Sequence, residues 1–434
     1  MNRLLTALFA VLSLLSLQPA MAAVKLTPIY ANEASNWPLE TFAANGLFRQ
    51  IAHYQQGHPQ AIVLNSGEYS LDQLAQQLGP RTLGHSDTGW TLHYPLVIGP
   101  GARLTLSDSN LYIEGRHGGC LINRGELVIE HSTITSNGDR SSGFIHGWGG
   151  STTRILNSAL IALGRADYRA NGVSVARHRY QDSGAPARLY IVDSQFRNLY
   201  RGLDAEAGSQ VSISGLTVSG SREQGLVLQS SRARIERLVV SNAGGHGLRA
   251  GGYAALDLKD SVLRHNAGSG ILLENHNGEV HISSVTSENN LEYGAQIKSL
   301  RGQHTTLMKA LTLRNNGSDG LRLDGSMEVS IEEANISHNQ RYAISIQAAP
   351  GHEFNGSMSN LRLHKNHLAA LQTRGEGKLE ISGVSLRHAS NRGKYLAGNL
   401  ADQEADVLPP LLQGKKVAIR FTEMLATSPL ASLR

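Results

Sequence analysis

The stretch GLVLQSSRARIERLVVSNAGGHGLRAGGYAALDLKDSVLRHNAGSG, residues 225–270, contains two copies of one pattern. Each copy starts with a glycine and alternating apolar residues, continues through a second alternating segment, and reaches an Asn before the next glycine-rich turn. Related segments begin at residues 172, 202, 225, 247, 270, 294, 320 and 343, and from 202 onwards the spacings are 23, 22, 23, 24, 26 and 23. A period near 23 built from short strands without a helix is typical of a right-handed parallel β-helix.

The repeat predicts an all-β protein whose fold is a single-stranded right-handed parallel β-helix of about eleven rungs with N-terminal and C-terminal caps. Leucine-rich repeats can share this length, but their fixed consensus leucines are missing. We expect a signal peptide over 1–22, an N-terminal cap and first strands over 23–100, the coil over 101–390 and a C-terminal cap over 391–434. Residues 40–56 have helical spacing and could close one end, and 415–421 form an edge strand at the other.

The first residues have the features of a secretory signal. Arg3 precedes a mostly apolar run, and Ala20-Met21-Ala22 forms a small-x-small cleavage site. This predicts export to the periplasm of a Gram-negative bacterium. No later segment approaches eighteen apolar residues, so we expect no membrane insertion after cleavage.

Composition limits the partners and cofactors. The net charge of +5 permits an acidic partner without requiring one, and nothing indicates a nucleic acid. Cys120 is the single cysteine, which excludes an internal disulfide and multi-cysteine metal sites, and its apolar neighbours predict a buried thiol. Six methionines argue against copper handling. We therefore expect no metal site and no cofactor.

Asparagines recur at the rung corners, where their side chains can stack as a hydrogen-bonded ladder. The predicted ladder contains Asn242, Asn266, Asn290, Asn316 and Asn339.

Strand alternation predicts which side chains face outwards. The first and third residues after each glycine should point inwards, and the second and fourth outwards. The first outward column is then Ser174, Asp204, Val227, Arg249, Leu272, Gln296, Arg322 and Ser345; the second is Ala176, Glu206, Gln229, Gly251, Glu274, Lys298, Asp324 and Gln347. The charged members of the two columns, which we take as candidate substrate-binding residues, are Asp204, Glu206, Arg249, Glu274, Lys298, Arg322 and Asp324. Such a face is either a solvated sheet surface or a groove for a charged linear polymer whose sugar repeat is close to the rung spacing.

Several stretches resemble the periplasmic mannuronan C5-epimerase family of the bacterial alginate pathway. They are GWGGSTTRILNSALIALG (147–164), NGVSVARHRY (171–180), IVDSQFRNLYRGL (191–203), SGILLENHNGEVHISSVTSENN (269–290) and NLADQEADVLPPLLQGKKVAIRF (399–421). The resemblance runs colinearly over roughly 300 residues, and the Trp-Gly-Gly-Ser stretch and the C-terminus do not arise from the repeat. It implies a β-helix that acts on an acidic, uronate-type polysaccharide, with exopolysaccharide synthesis or export proteins as further partners.

The resemblance also implies a catalytic rung, and this chain departs from it. Inversion at C5 of a uronate needs a cation to neutralise the carboxylate, a base and an acid. The family's Asp-Pro-His-Asp motif falls on Val227, Leu228, Gln229 and Ser230, and its Arg falls on Gly252. None of these supplies the required groups. A relocated site could use Glu206 and Glu274 with the nearby cations Arg249 and Lys298.

Three aromatic or imidazole side chains complete the candidates. Trp148 could offer a surface for stacking a sugar, whereas His246 and His146 are expected to be turn histidines. Three functions remain open. The protein could bind an acidic exopolysaccharide without epimerising it, it could be an epimerase or lyase with a relocated site, or it could be a β-helix accessory protein unrelated to carbohydrate.

Overall fold

The structure is a computed structural model, and it describes residues 24–28, 54–56, 59–167, 169–177, 185–206, 208–299, 305–386, 388 and 390–422. The predicted signal peptide lies outside the described residues, as does the proposed helical plug apart from its last residues. Within the described part of the chain, no helix is long and apolar enough to cross a membrane.

The first of two sheets, sheet 1, is built from the short strands that follow the rung glycines. Its fifteen strands are β1 (Leu26–Pro28), β2 (Gln60–Leu64), β6 (Leu96–Ile98), β9 (Leu121–Asn123), β12 (Ile145–Trp148), β15 (Gly172–Ala176), β17 (Arg201–Ala205), β19 (Leu226–Gln229), β21 (Leu248–Gly252), β23 (Ile271–His276), β25 (Ala295–Ser299), β27 (Leu321–Gly325), β29 (Tyr342–Gln347), β32 (Ala369–Arg374) and β34 (Leu396–Gly398). Strand β1 is antiparallel to β2, and the other neighbours are parallel.

The second, sheet 2, contains the segments between these strands. Its twenty strands are β3 (Gly67–Tyr69), β4 (Leu83–Ser86), β5 (Gly89–Leu92), β7 (Ala102–Ser107), β8 (Asn110–Ile113), β10 (Glu126–Glu130), β11 (Thr133–Thr135), β13 (Thr152–Leu156), β14 (Ala159–Ile161), β16 (Ala187–Arg197), β18 (Ser209–Ser219), β20 (Arg232–Ser241), β22 (Ala255–Arg264), β24 (Val280–Glu288), β26 (Thr305–Arg314), β28 (Glu328–Ser337), β30 (Phe354–Ser359), β31 (Arg362–His364), β33 (Gly377–Ser382) and β35 (Val417–Phe421). The long strands bend at a residue with positive φ, such as Arg237 at 56° or Asp260 at 47°. The predicted parallel coil is confirmed.

The core fills the inside of the coil because each rung contributes apolar side chains at alternate positions. In sheet 1, Leu226, Leu248, Ile271, Ala295 and Leu321 lie in register on consecutive strands and are all buried. Inward side chains of both sheets belong to one apolar cluster that extends from Val24 to Phe421. Burial of this continuous stack is the main source of stability for the coil.

A smaller apolar cluster covers the N-terminal part of sheet 1 from outside. It comprises Ala61, Val97, Cys120, Ile122, Phe144, Trp148 and Ala170. Cys120 is buried there as predicted, and the burial raises the pKa of its thiol to about 12. Such a thiol is protonated and unreactive at neutral pH.

The predicted asparagine ladder is present, with one member exchanged. Side-chain amides of Asn266, Asn290, Asn316 and Asn339 each donate to the side-chain oxygen of the next asparagine, over 2.8–3.1 Å, and the last acceptor is Asn366. Asn242 was wrongly included. It is exposed with φ of 56°, and the backbone N–H of the following Ala243 donates to Asn266 instead.

The described residues near both ends of the coil include elements that are not parallel strands of the rungs. Near the N-terminus, Ser70 caps the short helix α1 (Leu71–Ala75). At the C-terminus, a 3₁₀ turn (Ala401–Gln403) leads into helix α2 (Glu404–Leu412), and β35 then pairs antiparallel with β33. The edge strand expected over 415–421 is thus present. Parallel pairing begins at β2, among the first strands expected within 23–100, and continues to β34, which lies in the segment 391–434 assigned to the C-terminal cap.

Candidate functional site

The outward side chains of sheet 1 form the two predicted columns. Strand register places Asp204 beside Val227 and continues through Arg249, Leu272, Gln296, Arg322 and Ser345. The second column runs from Gln229 through Gly251, Glu274, Lys298, Asp324 and Gln347. We call this two-column surface the column face. Alternation predicted which positions face outwards, but it did not predict their exposure.

Leu272 is an example of this limit. It faces outwards between Arg249 and Gln296, yet only 4% of its surface is exposed. Its outward position is as predicted, and it is nevertheless buried because long neighbouring side chains on a sheet can cover a shorter apolar one.

Charged side chains at the N-terminal end of the column face are occupied by contacts within the protein. The carboxylate of Asp204 is 4% exposed, and it accepts hydrogen bonds from Arg201 at 2.7 Å and Asn171 at 2.8 Å. Glu206 pairs with Arg169 at 3.0 Å. Asp204 was predicted to bind substrate, but its burial and its two donors leave it a structural role instead.

Trp148 and His146 also differ from expectation. Trp148 is fully buried in the small outer cluster, so its ring offers no surface for stacking a sugar. His146 lies within β12 rather than in a turn, and its Nδ1 is 2.7 Å from the hydroxyl of Ser174. The glycines that flank these residues in the sequence do not reveal that Trp148 is buried or that His146 lies in a strand. The cluster that covers Trp148 is contributed by several segments distant in the chain.

Two exposed cations share one carboxylate at the centre of the column face. Arg249 donates to Glu274 over 2.8 Å, and the Lys298 ammonium lies 3.9 Å from the other oxygen of that carboxylate. The side chains of Arg249 and Lys298 are 46% and 42% exposed. Both remain accessible to a ligand.

His246 lies at the corner beside this cluster, as predicted for a turn histidine. Its Nδ1 accepts a hydrogen bond from the backbone N–H of Ser269 at 2.9 Å, and Glu292 is 3.8 Å away. Burial lowers the pKa of His246, with Glu292 acting in the opposite direction. The neutral ring that accepts at Nδ1 carries its proton on Nε2, so it presents a donor rather than a base.

The positions matching the family's catalytic residues have no proton-transfer groups and little room for them. Gln229 is exposed and Val227 half-buried on β19. Gly252 has φ of 63°, and a Cβ atom there would lie 2.3 Å from Ser230 Oγ and 2.8 Å from Gln229 Nε2. An arginine could not replace Gly252 unless these neighbours moved.

The proposed relocated pair is not brought together. Glu206 and Glu274 belong to the same column, but the rungs of Gln229 and Gly251 separate them, which is roughly 14 Å along the coil. An acid and a base that act on one sugar must both reach the same carbon. The structure therefore gives this pair no shared site.

The C-terminal part of the column face is an ordered network around Arg322. Its guanidinium donates to Asp324 at 2.9 Å and to Gln347 at 3.0 Å, lies over the ring of Tyr293, and is only 19% exposed. Since most of its donors are engaged, Arg322 is less available to a ligand than Arg249.

Asp319 was missed by the sequence reasoning, although it is part of the same network. It is fully buried, accepts the backbone N–H of Tyr342 at 3.2 Å, and lies 3.7 Å from both Arg322 and Arg341. Burial raises the pKa of its carboxyl, and the two arginines oppose this. Asp319 directly precedes a rung glycine, as His246 and Tyr293 do. This shared position is the sequence signal that could have identified it.

Comparisons with known proteins agree with this architecture. Residues 201–309 match the family described as right handed beta helix region, in agreement with the predicted handedness. Mannuronan C5-epimerase AlgG of Azotobacter vinelandii is 26% identical over 217 residues, which cover 45% of this chain and 41% of that protein. A mannuronan C5-epimerase of Pseudomonas putida is 21% identical over 331 residues, covering 72% of this chain and 58% of that protein. The chain thus spans less than two thirds of the length of these relatives.

Solved structures give the same result at the level of fold. The crystal structure of the periplasmic alginate epimerase AlgG superposes with a TM-score of 0.60 at 16% identity, covering 82% of this chain and 83% of that one. A mutant of that enzyme gives 0.67 at 16% identity, covering 84% and 95%. The predicted resemblance is confirmed: the chain is similar to AlgG-type epimerases and shares their right-handed β-helix.

Proposed function

We propose that the protein binds an acidic, uronate-type polysaccharide along the column face and does not epimerise it by the family's chemistry. The observation that carries this proposal is the central cluster, where Arg249 and Lys298 share the single carboxylate of Glu274. The three side chains together carry one positive charge, which is available to an anionic sugar.

The shape of the face supports a linear ligand. Parallel strands repeat the outward positions about every 4.8 Å, so a polymer lying along the coil meets equivalent positions on successive rungs. The relatives are named for acting on mannuronan, an acidic polysaccharide, and this supports the same chemical class for the present ligand.

The absence of family-type chemistry follows from the aligned positions. Val227, Gln229, Ser230 and Gly252 include no base, acid or carboxylate neutraliser, and a larger side chain at Gly252 would meet the side chains of Ser230 and Gln229 at a positive φ. The likeness to a periplasmic epimerase and the predicted signal peptide support a periplasmic location, where proteins of exopolysaccharide synthesis or export would be its partners.

Isothermal titration of the full chain with polymannuronate and with a neutral polysaccharide of similar length tests the binding. We expect binding of the acidic polymer only, weaker at high salt because exposed charges are screened. Equal binding of both polymers, or of neither, would contradict the proposal. The same samples, analysed for guluronate and unsaturated ends, would reveal an epimerase or lyase.

A further inference from the structure

We infer that Arg249 and Lys298 form a binding subsite for one carboxylate group of the polymer, and that Glu274 occupies this subsite as an internal counter-ion in the free protein. The inference rests on the proposed function. It assigns the ligand's carboxylate a position and makes Glu274 a competitor of the ligand rather than a ligand-binding group.

The three side chains come from three successive strands of sheet 1. Arg249 extends from β21, Glu274 from β23 and Lys298 from β25, so the carboxylate lies on the rung between the two cations. One oxygen accepts from Arg249 at 2.8 Å and the other faces Lys298 at 3.9 Å. This is the arrangement in which two cations bind any carboxylate, whether it belongs to the protein or to a sugar.

Two other arginines, one beside the column face and one within it, face at least as many carboxylates as there are cations. Arg201 contacts two carboxylates, those of Asp204 at 2.7 Å and Glu223 at 2.5 Å. Arg322 contacts Asp324 at 2.9 Å and lies near buried Asp319. In the central cluster cations outnumber carboxylates, because Arg249 and Lys298 share the single carboxylate of Glu274.

Exchange of Glu274 for a ligand is physically feasible. All three side chains are partly exposed, and exposed ion pairs contribute little to stability because water already solvates the separated charges. A sugar carboxylate that enters between Arg249 and Lys298 therefore replaces a weak contact by a similar one. Binding also costs the polymer conformational entropy. Contacts of its other sugar residues with neighbouring rungs can offset this loss.

The neighbouring histidine adds a donor without adding a charge. His246 Nδ1 is occupied by the N–H of Ser269, so Nε2–H is the group left to meet a sugar oxygen. The subsite thus combines charge recognition of a carboxylate with a neutral donor, which suits a monoanionic uronate better than a phosphorylated sugar of higher charge.

Glu274→Gln tests the inference because it keeps the size of the side chain and removes its charge. The control is Glu332→Gln on sheet 2, whose partner Lys309 is 3.0 Å away with similar exposure. Titration uses oligomannuronate and a neutral oligosaccharide of equal length. We expect Glu274→Gln to bind oligomannuronate about two- to fivefold more tightly, the control to match wild type, and Arg249→Ala/Lys298→Ala to lose most of the affinity.

The outcomes separate this inference from the proposed function. Weaker or unchanged binding by Glu274→Gln would overturn the counter-ion role. Full affinity in the double alanine variant would place the carboxylate elsewhere, while leaving acidic-polymer binding intact. Absence of any oligomannuronate binding by the wild-type protein would refute the proposed function and the inference with it.

Discussion

The side-chain amide of Gln229 fills the space beside Gly252, with Nε2 only 2.8 Å from the point where a Cβ atom would stand. This contact joins two of the positions that match the catalytic residues of the epimerases. In the proposed alignment, the neutral side chain of Gln229 therefore lies beside the position that corresponds to the family's arginine.

The first prediction concerns catalysis. The wild-type protein should make no detectable guluronate from polymannuronate, because losing even one acid or base commonly costs about 10²–10⁴ in rate. Gln229→Ala should change nothing in that assay. Guluronate from the wild type, abolished by Gln229→Ala, would refute the non-catalytic interpretation.

The second prediction concerns the backbone at Gly252. Gly252→Ala should destabilise the coil by about 2–4 kcal/mol, since strain at positive φ adds to the clash with Ser230. Gly393 is a matched control with φ of 69° and no atom within 4 Å of an added Cβ. Gly393→Ala should lower the free energy of unfolding, measured by chemical denaturation, only by the backbone strain of positive φ, about 1–2 kcal/mol. Equal losses at both sites would show that crowding at Gly252 is unimportant.

The third prediction compares the two faces of β23. Leu273→Asp should cost several kcal/mol, roughly 3–5, because an uncompensated carboxylate would enter the apolar stack. Leu272→Asp should cost less, although Leu272 is also buried, because its carboxylate would face the solvent side next to Arg249. Thermal denaturation of both variants measures the difference, and a smaller loss for Leu273→Asp would contradict the assigned alternation.

The fourth prediction tests the asparagine ladder. Asn316→Ala should destabilise the protein by about 1–3 kcal/mol, because the backbone N–H and the side-chain amide of buried Asn290 lose their common acceptor. The side-chain oxygen of Asn339 loses one of its two donors and keeps the backbone N–H of residue 316. Asn242→Gly is the control, since it keeps the positive φ at an exposed corner outside the ladder. Comparable effects of the two substitutions in urea denaturation would exclude a stabilising role of the ladder.

The fifth prediction concerns pH. Burial lowers the pKa of His246 in the folded protein, so its contribution to stability is present above the unfolded value of about 6.5 and is lost as pH falls through the folded pKa. Protonation of Nδ1 would also break the bond from Ser269. His246→Asn retains an acceptor without a titrating ring. Between pH 8 and pH 5, wild type should therefore lose more unfolding free energy than this variant; an equal loss would contradict the assignment.

The parts of the fold that repeat could be predicted from the sequence. Glycine spacing fixed the coil, and alternation assigned Leu226, Val227, Leu228 and Gln229 to the correct sides of β19. These features are local, since each rung follows the same steric rules as its neighbours.

Features that depend on contacts between distant segments could not be predicted. Trp148 is buried by residues from Ala61 to Ala170, and Asp204 accepts a hydrogen bond from Asn171 on the preceding rung in addition to the one from Arg201 on its own strand. The ladder continues to Asn366 rather than starting at Asn242, because membership depends on side-chain direction at the corner and not on residue type alone.

The alternation along β19 has an evolutionary consequence. Leu226 and Leu228 hold the coil together, while Val227 and Gln229 between them face the solvent side. Substitutions at these two outer positions of β19 are therefore expected to disturb folding little, so a lineage can exchange the chemistry of such a rung without passing through an unfolded ancestor. An architecture of this kind can outlive the activity for which it was first selected.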